Sequence, residues 1–317
     1  MTTNLQPWLE NLRNGDPRAL ARAISTVENR SPGWSELLKA LFPLSGKARI
    51  IGLTGSPGAG KSTLVDRLAR HYRKENRTVG IVAVDPTSPY TGGAILGDRI
   101  RMQDHFADPG IYIRSMATRG SLGGLARATA DVTTVLDAAG RDLIMIETVG
   151  VGQDEIDIVR LADITIVILV PGMGDDVQTI KAGIMEIADI FVINKSDREG
   201  AERVEREIRA MQSLAVRSDN WTPPIVKTVA SEGVGVKELA TAIAQYEGYL
   251  KKENLLAQKT AHNWQERLIE MLRDAMLDRA REHMSNGRMS EYAAEIAEHR
   301  RDPYTLIEEI VGRLGKN

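Results

Sequence analysis

The chain contains no cysteine. That excludes disulfides, thiolate catalysis, iron–sulfur clusters and any cysteine-based zinc or nickel site. The histidines His71, His105, His262, His283 and His299 are scattered, with no H-E-x-x-H pattern and no His run, so they read as surface or packing residues. Neither sign of charge dominates: 41 Lys plus Arg against 43 Asp plus Glu leave a formal net charge of −2. Such a balance carries no global signature for nucleic acid or anionic membrane. Long apolar runs are missing too. The longest, 164–170, is interrupted by Thr165 and falls far short of the ~20 residues that span a bilayer. The first residues show no basic stretch followed by an apolar one, so no targeting segment is expected. These absences together predict a soluble, cytoplasmic protein with neither nucleic acid nor membrane as partner.

What is present is ordinary for a globular chain: 317 residues, 42% hydrophobic and 26% charged, enough for about two domains or one domain with extensions. Residues 1–46 read as a helical extension. Asp16-Pro17 is a cap followed by proline at the first helical position, and Leu20, Ala21, Ile24 and Val27 recur at helical spacing. A second helix is expected from Trp34 to Phe42, between Ser31-Pro32-Gly33 and Pro43. This extension packs on the following domain or on a partner.

Residues 47–250 alternate strand and helix. Strands are predicted over 49–54, 79–85, 111–115, 143–147, 164–170, 190–194 and 225–229, and helices over 62–74, 125–139, 155–161 and 202–214. Most of the strands are near-continuous apolar runs, as parallel strands covered on both faces should be. The predicted fold class is α/β, a doubly wound and mainly parallel sheet, which places ligands at the carboxyl ends of the strands. Residues 251–317 return to helix. Trp264, Leu268, Met271, Leu272, Ala275 and Ala280 form an apolar stripe, Ser285-Asn286-Gly287 breaks it, and Asp302-Pro303 opens a last helix.

The strongest motif is Gly55-Ser56-Pro57-Gly58-Ala59-Gly60-Lys61-Ser62. It is a complete G-x-x-x-x-G-K-[ST] phosphate loop, preceded by an apolar strand and followed by a helix. Its glycines let main-chain N–H groups converge on phosphate oxygens at a helix N-terminus. Lys61 is expected to reach the β- and γ-phosphates and Ser62 to ligate Mg2+; Thr63 follows in the same turn. The second motif, Asn194-Lys195-Ser196-Asp197, directly follows an apolar strand and matches the N-K-x-D guanine box. Asp197 can accept from guanine N1–H and the N2 amino group; adenine offers neither donor, so such a site discriminates against ATP. Asn194 would bind the base edge and the loop, the Lys195 stem would cover the ring, and Ala230-Ser231 would close over the base from the other side.

The third motif is Glu147-Thr148-Val149-Gly150, in the place of the D-x-x-G of a second switch, with glutamate for aspartate. Glu147 should approach magnesium and Gly150 the γ-phosphate; the competing reading is a strand-end acid that caps the next helix. Ras-like GTPases place a water-orienting glutamine immediately after that glycine. Here Val151 stands there and Gln153 lies two positions on, which predicts slow hydrolysis by the chain alone, with Gln153 as a candidate for the water. Asp85 ends the second strand, and Asp98 follows a glycine-rich stretch that suits a first switch. Either could approach magnesium or be a solvated turn acid. The loop Pro171 to Gln178, with Lys181 just beyond, is a polar connection with two glycines and two acids.

In this order, over nearly the whole chain, these motifs resemble the SIMIBI class of P-loop GTPases and within it the MeaB/ArgK-type family. The resemblance rests on Gly52 to Thr63, Val84 to Ser88, Gly93 to Arg99, Glu147 to Gln153, Gly174 to Gln178 and Asn194 to Asp197. It implies a homodimeric GTPase chaperone that gates cofactor loading, protection and reactivation of an adenosylcobalamin-dependent acyl-CoA mutase, typically methylmalonyl-CoA mutase, with the cobalamin held by that client. It also implies that Asp85, Asp98 and Glu147 join Ser62 around magnesium. Gly172 to Lys181 would form a third switch that speaks to the mutase, and Lys181 would serve mutase-stimulated hydrolysis. The C-terminal helices would be a dimerisation arm, although the same stripe could pack on its own domain. The alternative is a nickel or cobalt metallochaperone GTPase of the same class, which the missing cysteine and unclustered histidine disfavour.

Overall fold

A computed structural model of the chain describes residues 6–85, 108–117, 124–148, 161–172, 187–214, 217, 219–283 and 288–314. The described elements divide into two compact units, Met1–Ala257 and Gln258–Asn317.

The first unit is built on a seven-stranded parallel sheet. Its strands are β1 (Arg49–Gly55), β2 (Val79–Asp85), β3 (Ile111–Ala117), β4 (Leu143–Glu147), β5 (Ile164–Leu169), β6 (Ile190–Asn194) and β7 (Ile225–Thr228), in the spatial order β3-β2-β4-β1-β5-β6-β7. All seven predicted strands form; 79–85, 143–147 and 190–194 match at both ends, and the other four differ by one or two residues at their carboxyl ends. β4, β5 and β6 are buried along their whole length, which is why alternation is absent from their sequence.

Successive side chains on each strand feed opposite layers. On one face Ile51, Leu53, Ile81, Met145, Ile166 and Val192 pack with α4 (Lys61–Lys74) and α7 (Val236–Lys252). On the other face Val82, Val84, Ile144 and Ile146 meet the N-terminal helices α1 (Gln6–Arg13), α2 (Pro17–Glu28) and α3 (Trp34–Leu41) together with α5 (Gly124–Ala138). Further along that face Phe191 and Ile193 pack with α6 (Ala201–Leu214). The N-terminal extension is therefore a layer of this domain. Leu20, Ala23, Ile24 and Val27 of α2 are fully buried in it, and Asp16 caps α2 through the Arg18 N–H at 2.8 Å. Trp34 to Phe42, expected as one helix, is α3 with a 3-10 turn, Phe42–Leu44, at its end, because Pro43 cannot continue an α-helix. The helix expected over 155–161 lies, apart from Leu161, outside the described residues. α7, not singled out in the sequence reading, is the largest addition.

Aspartates at the amino edge of the sheet set the register. Each stands one residue before a strand and accepts a main-chain N–H from the neighbouring strand or its lead-in. Asp142 accepts from Thr78 (2.7 Å), Asp163 from Ile50 (2.9 Å) and Asp189 from Thr165 (2.9 Å). Asp137 performs a related task from α5. Its carboxylate accepts from Gly46 (2.5 Å), Lys47 (3.1 Å) and Ala48 (2.9 Å), and so fixes the segment that leads from the N-terminal helices into β1.

In the second unit α8 (Leu255–His283), which begins in the first, is followed by α9 (Arg288–Ala297) and α10 (Pro303–Leu314). Asp302 accepts the Thr305 N–H at 2.8 Å and caps α10. Arg301 pairs with Glu295 (3.6 Å) and Glu309 (2.5 Å) and lies over the Tyr292 ring. The break expected at Ser285-Asn286-Gly287 lies outside the described residues. No described helix is long and apolar enough to cross a membrane.

Two stability predictions follow from the aspartates. Asp137→Ala leaves three linker N–H groups without their carboxylate and should lower stability by about 2 kcal/mol in urea unfolding. The Asp142 carboxyl is pushed up by partial burial but more strongly down by the main-chain and hydroxyl bonds of Thr78 and by the charges of Arg77 and Arg141. It lies below the ordinary carboxylate value. A depressed folded value means stabilisation that is present above about pH 3.9 and lost as pH falls through the folded pKa. Asp142→Asn should therefore flatten the acid limb of a stability-against-pH curve in that window.

Candidate functional site

β1 runs out of the sheet centre into the phosphate loop. Gly55 closes the strand at φ 147°, and a Cβ there would stand 2.2 Å from the Ile168 carbonyl of β5. Only glycine lets the loop leave between these strands. The loop then turns through Gly58 (φ 79°) and Gly60 (φ 90°) into the N-terminus of α4. No side chain caps that helix end, so its first N–H groups are available to an anion.

Lys61 is 6% exposed. Its ammonium folds back to donate to the carbonyls of Gly55 (2.7 Å) and Ser56 (3.1 Å). Next to it the Ser62 hydroxyl donates to Glu147 Oε1 at 2.6 Å. Glu147 ends β4, the immediate neighbour of β1, and is 4% exposed. The strand register thus brings together two residues 85 positions apart. One position on, the buried Thr148 hydroxyl donates to Thr54 Oγ1 at 3.1 Å, and the Thr148 N–H donates to the Leu53 carbonyl at 3.1 Å. These bonds tie the exit of β4 to the exit of β1.

Asn194 ends β6 and is 2% exposed. Its Nδ2 donates to the Ala59 carbonyl of the phosphate loop at 2.7 Å. Its Oδ1 accepts from the Thr228 hydroxyl (3.0 Å) and the Ala230 N–H (3.1 Å). Lys195, in a left-handed conformation at φ 55°, donates from Nζ to the Gly58 carbonyl at 2.8 Å, and the Ser196 N–H donates to the Thr228 carbonyl at 3.0 Å. Asp197 and Ser231 are exposed and Ala230 is buried. The phosphate loop, the Asn194–Asp197 segment and the Ala230–Ser231 segment therefore meet at the carboxyl ends of β1, β6 and β7.

Several candidates fall elsewhere. Asp85 ends β2, and only its backbone belongs to the described structure. Asp98, Gly150, Gln153 and Lys181 lie outside the described residues. Among the described residues no group of three or more His, Asp or Glu is clustered to hold a metal. The donors next to the phosphate loop are the Ser62 hydroxyl and the Glu147 carboxylate, hard oxygen ligands of the type that magnesium takes. The sequence reading missed Thr228, Thr54 and Arg67. Thr228 stands two residues before Ala230 and could have been found only by knowing which strand neighbours β6.

A Cβ at residue 60 would stand 2.4 Å from Asn194 Nδ2. That atom is held by its bond to Ala59 and cannot easily give way. Gly60→Ala should lower nucleotide affinity by about tenfold or more in a titration, from strain at positive φ and loss of that bond, with the sheet still folded by circular dichroism.

Comparison with known proteins supplies the context. The family model described as methylmalonyl Co-A mutase-associated GTPase MeaB matches residues 20–285. A protein of Pyrococcus abyssi is 48% identical over 311 residues, covering 96% of this chain and 96% of its own length. GTPase ArgK of Escherichia coli is 36% identical over 284 residues, covering 87% of this chain and 85% of its own. The crystal structure of a LAO/AO transport system kinase has a TM-score of 0.74 and 27% identity, covering 99% of both chains. With a phosphate loop, a parallel sheet of this order and such relatives, the chain belongs to the methylmalonyl-CoA mutase-associated GTPase family, MeaB, and is a GTPase.

Proposed function

We propose that the chain is a GTP-hydrolysing chaperone that gates adenosylcobalamin loading, protection and reactivation of an adenosylcobalamin-dependent acyl-CoA mutase, methylmalonyl-CoA mutase or a close relative. The observation that carries this is the meeting of the phosphate loop with the Asn194 segment in a chain of a mutase-associated GTPase family. The client holds the cobalamin, and this chain supplies the nucleotide-driven timing.

In this reading the nucleotide phosphates enter the loop 55–63. Lys61 turns from the Gly55 and Ser56 carbonyls to the β- and γ-phosphate oxygens. Ser62 and Glu147, neighbours at 2.6 Å, would be the residues that hold magnesium, together with Asp85 and Asp98. Magnesium, when bound, neutralises charge that develops on the transferred phosphoryl group. Asp197 accepts from the guanine edge, Asn194 and Lys195 keep the base segment against the phosphate loop, and Ala230-Ser231 closes the other side. Gly150 is the expected main-chain donor to the γ-phosphate. Gln153 is the candidate for the attacking water, and Lys181 the residue that would serve mutase-stimulated hydrolysis. Val151 in the place of a water-orienting glutamine explains why hydrolysis by the chain alone should be slow.

The proposed organisation is an extension (1–46), a G domain (47–250) and a helical arm (251–317) that forms a homodimer. The arm's α8 exposes Leu268, Ile269, Met271, Leu272, Met276 and Leu277. A stripe of that kind is what a second copy would cover.

The deciding measurement is the steady-state GTP hydrolysis rate, alone and with adenosylcobalamin-dependent acyl-CoA mutases added one at a time, with ATP as control. A slow basal rate, raised severalfold by one mutase and absent with ATP, is the expected result. GTP hydrolysis that no mutase alters would sink the client assignment and favour metal delivery instead.

A further inference from the structure

We infer that Arg67, a residue outside every nucleotide motif, is a positioning residue for the base-side loop. It would set the guanine preference of the site by fixing the peptide planes of Ala230 and Ser231. The inference rests on the reading of Asn194–Asp197 and Ala230–Ser231 as the base-binding segments.

Arg67 lies in the second turn of α4, one turn beyond Thr63 on the same helix face. The residue is half-buried, and its guanidinium reaches across to the loop after β7. Nε donates to the Ala230 carbonyl at 3.1 Å, and Nη2 donates to the carbonyl of the next residue, Ser231. A planar fork that engages two successive carbonyls holds two successive peptide units in one orientation, and bonds from a charged donor are stronger than neutral ones. Lysine could not impose the same geometry.

Peptide planarity gives the bonds their consequence. No peptide bond of the described chain is cis, so the Ser231 N–H points opposite to the Ala230 carbonyl, away from α4. The Ala230 N–H is held separately by Asn194 Oδ1 at 3.1 Å. The turn is closed by Glu232 N–H to the Val229 carbonyl (3.0 Å) and Gly233 N–H to the Ala230 carbonyl (3.2 Å). Arg67 and Asn194 thus grip the loop from two sides, and the direction of its N–H groups is set before a base arrives. Guanine presents a carbonyl at the purine 6-position where adenine presents an amino group. A preset N–H complements the first and opposes the second, whereas a loop free to rotate its peptides would accommodate both.

The geometry also joins two halves of the ligand. α4 begins with Lys61, Ser62 and Thr63 at the phosphate end and carries Arg67 to the base end on one 14-residue helix. Phosphate contact and base contact are therefore referred to a single rigid element.

The test is calorimetric titration of the full chain and of Arg67→Met, which keeps an apolar stem but no donor, with GDP, ADP and pyrophosphate. The expected result for Arg67→Met is about a tenfold loss for GDP, a reduced GDP-over-ADP ratio, unchanged pyrophosphate affinity and a near-normal melting temperature. Arg67→Lys, able to serve the carbonyls only as a point donor, should fall between the two. Unchanged GDP affinity in folded Arg67→Met, or an equal loss for GDP and pyrophosphate, overturns the assignment. If Arg67→Met does not fold, Arg67→Lys decides by the same criteria at smaller size. A parent chain that binds ADP as well as GDP would defeat the guanine reading on its own. In a guanine-selective parent, a variant loss shared equally by GDP and ADP leaves the ratio unchanged and overturns the role in guanine preference.

Discussion

The buried side-chain amide of Asn194 holds the site together. Its donor end takes the Ala59 carbonyl, and its acceptor end takes the Thr228 hydroxyl and the Ala230 N–H. The phosphate loop and the end of β7 are thus both referred to one planar group on β6 at 2% exposure. An amide is the side chain that can donate and accept at adjacent atoms without charge, which suits a position where an unpaired ion would be costly. The phosphate loop cannot shift relative to the β6 exit without breaking a bond in a water-poor environment, where such breakage is expensive.

That arrangement requires the sheet beneath it to be fixed in register. The fixing is done at the opposite edge by Asp142, Asp163 and Asp189, each bonded to the backbone of an adjacent strand or its lead-in. Arg49 extends the same edge by pairing with Asp163 (3.3 Å) and Glu247 (3.1 Å), which connects β1 to α7. The parallel order then puts β1 between β4 and β5, so the phosphate loop has Glu147 on one side and the Ile168 carbonyl on the other. Glycine at position 55 is the consequence of that second neighbour.

The strands were readable because a parallel strand covered on both faces is nearly all apolar, and 143–147, 164–169 and 190–194 depart from that only at Glu147, Thr165 and Asn194. The phosphate loop was readable because its chemistry demands glycines and a lysine at fixed spacing. Pairings across the chain were not. Nothing local to Asp137 signals that it receives three N–H groups from residues 46–48, and nothing local to Arg67 signals that it reaches the loop after β7. Both are long-range hydrogen bonds, and a single sequence encodes them only through the topology. α7 is a different case: Val236, Leu239, Ala240, Ile243, Tyr246 and Leu250 are all buried at helical spacing, so the signal existed and lay in the pattern that identified α2. The N-terminal helices, open to either a partner or the domain, are settled by Val82, Val84, Ile144 and Ile146, which need cover on their face of the sheet.

Lys61 is hydrogen-bonded to the very loop it serves. Its ammonium donates to the carbonyls of Gly55 and Ser56, which partly solvate the charge but do not cancel it. Ligand entry is then an exchange of partners. The enthalpy of the new phosphate bonds is offset by the carbonyl bonds surrendered, and a small anion that offers only one or two oxygens gains little by the trade. A polyphosphate that can also occupy the amides at the start of α4 gains much more. Selectivity for phosphate-chain length would in this way follow from the loop's own hydrogen bonds, before any contact with a base.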